Sequence, residues 1–529
     1  MSDVATDEAS GGSLNRSTKS SVLVMSCTLL SRLLGFARLA VITSVFGVGA
    51  KTDIINLTFS IPNNLRKLLA EGALSSAFVP ELSRSLVSDE TGRTAHALVR
   101  KLLSFQVLII VPFCLLSIAA ARPLIARVLS EFEDPVEIAQ ATRLFRYFIN
   151  YLLLISISAV LMGVLNAHHR FVVPAITPIL FSVAVITSIV VGSGTFDIYA
   201  VAVGVLAGGA FQIVFQLPLF RRLGYGFRPD FGFRDPAFRR VLAVWLPVLA
   251  TSSLFSITSQ VAVRFASGLG AGSVTSLSIA ITFFQLPFGI FSASVTTVLF
   301  PRMSRQVATE DSAGLSQSVQ YGLRFLAILL VPSTVFLCIS GRGLISVAFQ
   351  RNDFDLAQTI ETAGVLVAYS VGLFSVGAFT FLQRLFYAMG KQYVPFRVAV
   401  IVAVVDIGLS LWLKDTVLAT AGIALANSVS FTVGLILLIV RTRSEIGAIG
   451  AKRVTITSMK MAASVAPAVA AVYLLRAATG PWWIGGSSVL SAAMLVVEAV
   501  LFSGIVLLGY RFTRVEMVSM LLMRRKLDA

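Results

Sequence analysis

The chain has 529 residues, of which 56% are apolar and only 13% charged, about half the ~25% charge of ordinary soluble domains. That balance excludes a disordered chain, a collagen and a soluble enzyme. The net charge of +17 would suggest nucleic acid on a soluble protein, but basic residues gathered in cytoplasmic loops explain it more simply.

Residues 1–18 are polar, rich in Ser and Gly, and read as a disordered cytoplasmic tail. The apolar segment that follows is too long for a signal-peptide core and lacks a small-residue cleavage site. Apolar stretches long enough to span a bilayer then recur to residue 510. The expected spans are 19–46, 53–84, 94–121, 135–167, 171–192, 197–223, 238–266, 272–304, 314–341, 356–389, 393–413, 417–443, 455–476 and 484–510. The fold class is therefore an all-α polytopic membrane protein of about fourteen helices.

Loop charges test that count. With the amino terminus inside, Arg84, Arg93, Arg170, the run Arg221 to Arg240, Arg302, Arg305, Lys391, Arg397 and Arg441 to Arg453 all fall on the cytoplasmic side. The outer loops hold only Lys51, Arg122, Arg127, Arg342, Arg351, Lys414 and Arg476. A single missed helix would destroy the asymmetry, so both termini are expected in the cytoplasm.

Three weak matches recur at nearly one spacing. Asn166-Ala-His-His-Arg-Phe-Val-Val-Pro174 resembles Tyr387-Ala-Met-Gly-Lys-Gln-Tyr-Val-Pro395, Pro80-Glu-Leu-Ser-Arg84 resembles Pro301-Arg-Met-Ser-Arg305, and Val111-Pro112 matches Val331-Pro332. The pattern predicts a duplicated six-helix unit, in parallel because the offset spans an even number of helices. The expected organisation is a first lobe over 19–223, a basic cytoplasmic linker over 224–237, a second lobe over 238–443, two added helices over 444–510 and a basic tail over 511–529.

The chemistry lies in charges placed where a bilayer disfavours them. Arg32, in Ser31-Arg-Leu-Leu-Gly-Phe-Ala-Arg38, lies about thirteen residues, or ~20 Å, into the first helix, too deep to snorkel. A charge there costs ~3 kcal/mol or more, so it is expected to face protein or water. The second helix carries Asp53, then Asn63, Asn64, Arg66, Lys67 and Glu71 after Pro62. Lys67 and Glu71 are spaced to pair. Arg32, Arg38, Arg66 and Lys67 give +4 against −2 from Asp53 and Glu71, and surplus arginines suit a phosphate gripped in bidentate fashion. Among the later helices, Arg264 is the nearest base of the second lobe. Asp406 and Ser410 share a helix face and Asn427 lies in the next helix, a set of oxygens that suits a small monovalent cation. Asp406 pairing with Arg384 is the alternative.

Catalytic signatures are absent. There is no phosphate loop, no paired carboxylates with metal spacing and no nucleophile elbow. Cys27, Cys114 and Cys338 are scattered, and His96, His168 and His169 lack ligand spacing, so neither a disulfide framework nor a metal site is expected. The chain reads as a non-enzyme without a bound cofactor.

The segment Ser31 to Arg38, Thr52-Asp53, and Pro62-Asn-Asn-Leu-Arg-Lys-Leu-Leu-Ala-Glu-Gly-Ala-Leu-Ser-Ser-Ala-Phe-Val-Pro80 closely resemble the bacterial MurJ (MviN) family. So do Gly208-Gly-Ala-Phe-Gln-Ile-Val-Phe-Gln-Leu-Pro218 and Ala368-Tyr-Ser-Val-Gly-Leu373. The resemblance implies two six-helix lobes plus two helices forming a groove for a lipid tail, within the superfamily of multidrug and polysaccharide exporters. It implies a flippase for lipid II, an undecaprenyl pyrophosphate bearing a disaccharide-pentapeptide, in the bacterial inner membrane. It places Arg32, Arg38, Asp53, Arg66 and Glu71 on cavity-lining positions, with Lys67 where the family often has arginine. The chain departs from the family pattern in the eighth helix, where Ile281 and Thr282 stand in place of charges, and at Leu39, in place of an acid.

The expected mechanism is alternating access through a cationic cavity between lobes, driven by membrane potential or by a sodium ion or proton gradient. Expected partners are lipid II, membrane lipids and cell-wall synthesis or division proteins, with no nucleic acid and a monomeric state. The competing readings are a flippase for another polyprenyl-linked saccharide, a drug exporter on the same fold, a prenyl-phosphate glycosyltransferase, and a non-transporting scaffold.

Overall fold

The computed structural model describes residues 4–69, 72–89, 91–351, 354–447, 451–480, 489–513 and 515, and every regular element among them is a helix. In chain order these are α1 (Val4–Phe46), α2 (Ala50–Leu69), α3 (Gly72–Ser88), α4 (Arg93–Ala119), α5 (Pro135–Phe148), α6 (Tyr151–Ala167), α7 (Val172–Phe196), α8 (Tyr199–Arg222) and α9 (Pro236–Ser267). There follow α10 (Ser273–Pro287), α11 (Ala293–Ala308), α12 (Ser312–Phe349), α13 (Leu356–Ser370), α14 (Leu373–Ala388), α15 (Tyr393–Leu413), α16 (Ala419–Ile446), α17 (Ala451–Thr479) and α18 (Val489–Phe512). Several sequence segments are thus broken once: α5 with α6, α10 with α11 and α13 with α14 each form one expected span. Short π-helical turns follow Pro123 and Pro287.

Thirteen stretches among the described residues are long and apolar enough to cross a membrane. The expected segment 53–84 is absent from that set. It is helical, as α2 and α3, but Asp53, Arg66 and Lys67 make α2 too polar to qualify, and α3 is only 17 residues long. α1 begins at Val4, inside the segment read as a disordered tail; residues 4–18 contain no proline to stop the helix.

The duplication reappears in the backbone. Pro174 and Pro395 are each the third residue of their helix, α7 and α15, where a missing N–H costs nothing. Pro80 and Pro301 are each the ninth, in α3 and α11. The turns before α7 and α15 match bond for bond. His169 and Gly390 both adopt left-handed backbone, with φ of 57° and 69°. Arg170 N–H then donates to Leu165 O at 2.8 Å, and Lys391 N–H to Phe386 O at 2.9 Å, the six-to-one bond of a Schellman ending.

The chain divides into two compact units, residues 1–260 and 261–529. The division falls within α9 rather than at the linker 224–237. The physical cause is that the first half of α9 packs on the first unit. Phe238 and Val241 enter a core with Phe78, Leu102, Val164 and Phe220, and Arg240 grips the buried Glu81 carboxylate with Nε at 2.9 Å and Nη2 at 2.7 Å. Elsewhere in this unit α7 and α8 approach very closely: a Cβ on Gly204 would stand 2.8 Å from the Val185 Cα. In the second unit α17 and α18 pack on α12 through Ile328, Met461, Val465, Phe502 and Val506. Arg476 Nη2 meets Glu498 Oε1 at 2.5 Å in that interface, and Ser340 donates to the same carboxylate.

Candidate functional site

In the first unit α1 and α2 bring Arg38 and Arg66 close enough to repel one another, with Tyr151 of α6 also facing Arg38. Aromatic rings hold the Arg38 guanidinium in place. Its carbon lies 5.6 Å from the centre of the Phe59 ring and 5.2 Å from that of Phe181, within cation–π range. Those rings are themselves packed: Phe59 meets Phe148 at 5.5 Å and Tyr151 meets Phe181 at 5.2 Å. Arg38 is half-buried, with its guanidinium held against an apolar wall.

α2 presents the remaining groups. Arg66 Nε donates to Asn63 Oδ1 at 3.2 Å. Ser60 Oγ donates to Gln260 Oε1 at 3.0 Å, and Asn64 Nδ2 reaches the same oxygen at 3.4 Å. Pro62 sits inside the helix, so its turn lacks one backbone donor and is held by these side chains. Asp53 is buried at the start of α2, beside Thr52, whose hydroxyl donates to Gly47 O. Lys67 and Arg32 are exposed. Glu71 lies outside the described residues.

In the second unit Asp406 and Ser410 are both buried on one face of α15, and the Asn427 side chain of α16 lies beside the Asp406 carboxyl. Tyr369 of α13 lies within electrostatic reach of Asp406. Arg384 is exposed and, among the described residues, forms no ion pair with Asp406. Arg264 is half-buried near the end of α9, one turn beyond Gln260 on the same helix. At the departures in α10, Thr282 turns its hydroxyl to Ser278 O at 2.7 Å within its own helix. No group of three or more metal-ligating side chains occurs among the described residues.

Sequence reasoning singled out Arg38, Arg66, Asp406, Ser410 and Asn427, and the structure joins Arg38 to Arg66 and Asp406 to Asn427. It missed Phe59, Tyr151, Phe181 and Gln260. The aromatics carry no signal in an apolar chain. Gln260 does carry one: it lies four positions before Arg264, at the end of a polar run of Thr258, Ser259 and Gln260 inside a membrane-spanning helix.

The family model described as "Lipid II flippase MurJ" matches residues 42–494. The chain is 31% identical to the probable lipid II flippase MurJ of Borreliella burgdorferi, over 80% of this chain and 83% of the relative. It is 30% identical to the lipid II flippase MurJ of Burkholderia cenocepacia, over 79% of this chain and 82% of the relative. A solved structure described as lipid II flippase MurJ in an inward closed conformation superposes with a TM-score of 0.74 at 24% identity, covering 93% of this chain and 99% of that one. An inward-facing multidrug resistance MATE family transporter of the MOP superfamily superposes with a TM-score of 0.67 at 15% identity, covering 81% and 98%.

Proposed function

Because the chain belongs to the lipid II flippase MurJ family, we propose that it carries lipid II across the bacterial inner membrane, as the names of its relatives state for them. The observation that carries this reading is the Arg38 guanidinium seated against the Phe59 and Phe181 rings, with Arg66 within its electrostatic reach. Two guanidinium groups within electrostatic reach of one another suit a doubly charged pyrophosphate, which two forks grip better than two point charges do. The same surplus of positive charge opposes a cationic cargo.

The transport cycle we propose needs no covalent step. The pyrophosphate binds the cationic surface of the first lobe from the cytoplasmic side, with Arg32, Asp53, Lys67 and Glu71 around it and Arg264 as the second lobe's contribution. The prenyl tail remains in lipid along α17 and α18. Alternating access between the lobes then exposes the head group outside. Asp406, Ser410 and Asn427 supply a set of oxygens suited to a sodium ion or a proton, whose gradient, with the membrane potential, resets the empty carrier. Both termini lie in the cytoplasm in this reading.

The test is transport itself. Purified protein in proteoliposomes, given fluorescent lipid II, should move it between leaflets. An Arg38→Gln/Arg66→Gln variant that inserts normally should not. Unchanged flipping by that variant would remove the arginine pair from the mechanism. Depletion in cells without accumulation of lipid-linked precursor on the inner leaflet would remove the proposed substrate.

A further inference from the structure

The segment between α8 and α9 is not used by the transport reading, and its chemistry is unusual. Residues 221–240 hold six arginines and two aspartates. Both acids are engaged. Asp235 Oδ2 takes Lys101 Nζ at 2.7 Å, and its other oxygen caps the N–H groups of Ala237 and Phe238. Asp230 Oδ1 accepts from Gly232 N–H at 3.0 Å. Arg240 is engaged by Glu81. Arg221, Arg222, Arg228, Arg234 and Arg239 are exposed and, among the described residues, have no carboxylate partner.

The segment is also held rigidly at one depth. Asp230 N–H donates to Ser104 Oγ at 2.8 Å, and Phe233 stacks edge-on with Phe105 at 5.7 Å. The Lys101 side chain of α4 reaches over Gly232, where a Cβ would stand 3.0 Å from Lys101 Cε. Lys101 is the last charged residue of α4 before an uninterrupted run to Ala121. Arg221 and Arg222 close the apolar run of α8 in the same way. The segment is therefore pinned level with the boundary between hydrocarbon and water. At that level Phe231 is 65% and Phe227 47% exposed, flanking Arg228 and followed by Arg234.

We propose that residues 227–234 form a docking platform for anionic phospholipid of the leaflet they face, with Phe227 and Phe231 seated against the headgroup-proximal carbons of the acyl chains and Arg228 and Arg234 gripping the headgroup phosphates. Exposed aromatic rings prefer the interface, and guanidinium groups match phosphate in bidentate geometry. Charge complementarity selects the occupant: a zwitterionic headgroup cancels much of the attraction that an anionic one supplies. The platform rests on the membrane-spanning fold and not on the identity of the transported substrate.

The test is hydrogen–deuterium exchange of amides 224–237 in the full chain, in nanodiscs of phosphatidylcholine alone or of phosphatidylcholine with phosphatidylglycerol. Phosphatidylglycerol should slow exchange roughly tenfold, the effect of two arginines at ~1 kcal/mol each near an anionic surface, less some screening. Arg228→Gln/Arg234→Gln should abolish the slowing, Arg228→Lys/Arg234→Lys should keep part of it, and Phe231→Ser should weaken it, with amides 98–105 unchanged as the folding control. Equal exchange in both bilayers would overturn the proposal, as would slowing that survives the glutamine pair. Equal slowing by dissolved glycerol phosphate, or by polyglutamate, in phosphatidylcholine discs would reassign the patch to a soluble anion or an acidic protein. If the glutamine pair fails to fold, the same exchange repeated on the unaltered chain in molar salt decides: slowing that persists there overturns the proposal.

Discussion

Arg38 and Arg66 show what a single charge costs and supplies in this protein. Each sits on a helix where a charge is disfavoured, and each is within electrostatic reach of the other, so an anion bound by both would relieve both penalties at once. A charge-assisted hydrogen bond is worth ~1.5–3 kcal/mol, which is roughly ten- to a hundredfold in affinity. Arg66→Ala is therefore expected to weaken lipid II binding by about that factor, and Arg66→Lys to restore only part, read by titration of fluorescent lipid II. Asp406 and Asn427 form a second pair. Asp406→Asn should remove any sodium or proton dependence of flipping while leaving lipid II binding intact. A double-mutant cycle with Asn427→Ala should show coupling, and one with Arg384→Gln should show none, since Arg384 is exposed. Coupling to Arg384 instead would identify a structural ion pair.

At the scale of the helix, close approach and buried charge decide what the elements tolerate. The contact between α7 and α8 has no room at Gly204. Gly204→Leu is expected to cost at least the ~1–3 kcal/mol of an overpacked interface, and thermal unfolding in detergent measures it. The dock of α17 and α18 on α12 depends on Glu498, only 2% exposed, paired with Arg476. Removing one partner leaves a buried charge, so Glu498→Ala should destabilise by about 3–5 kcal/mol, while replacing both by apolar residues should recover most of it. Equal destabilisation by the single and double changes would show that packing, not charge, holds the dock.

At the scale of the whole molecule, the segment after α8 ties groups from several elements of the first unit into one acid-sensitive latch. His168 Nε2 and the Tyr225 hydroxyl share a hydrogen bond at 2.9 Å, and His96 stacks on the same ring at 4.3 Å. Burial, then the charges of His96, His169 and Arg170, lower the His168 pKa, and burial pushes the Tyr225 hydroxyl up to about 12. Burial would raise the Asp235 carboxyl, but the hydrogen bond from Lys101, the N–H groups of Phe238 and Ala237 and the Lys101 charge outweigh it and hold the group low. Both groups release their protons more readily folded than unfolded, so the stability they contribute is present at neutral pH and lost on acidification. Exchange of amides 224–237 should quicken first below the ordinary histidine range and again below the ordinary carboxylate range. His168→Gln should remove the first step and Asp235→Asn the second. A pH-independent exchange rate, after correction for intrinsic chemistry, would show that the latch is held by packing alone.

Length, apolar runs and loop charge determined by themselves that this is a helical membrane protein, and motifs recurring at one spacing pointed to a duplicated design. Those features are local and repeat along the chain, and a bilayer admits few structures for them. The spacing that paired Asn166-Ala-His-His-Arg with Tyr387-Ala-Met-Gly-Lys even carried the left-handed turn at His169 and Gly390, because a helix ending is written in a handful of consecutive residues. Arg38 and Asp406 were legible as candidates because a charge in an apolar run is conspicuous. Their surroundings were not. Phe59, Tyr151 and Phe181 converge on Arg38 from three helices, and phenylalanine in an apolar chain has no spacing that marks it. The division of the chain was equally hidden. A basic linker invites a boundary at 224–237, yet the boundary falls at residue 260, because Phe238, Val241 and Arg240 find their partners in the first unit. Which of many similar apolar faces meet is settled by shape and by a few buried charges, and those act only once the helices are packed.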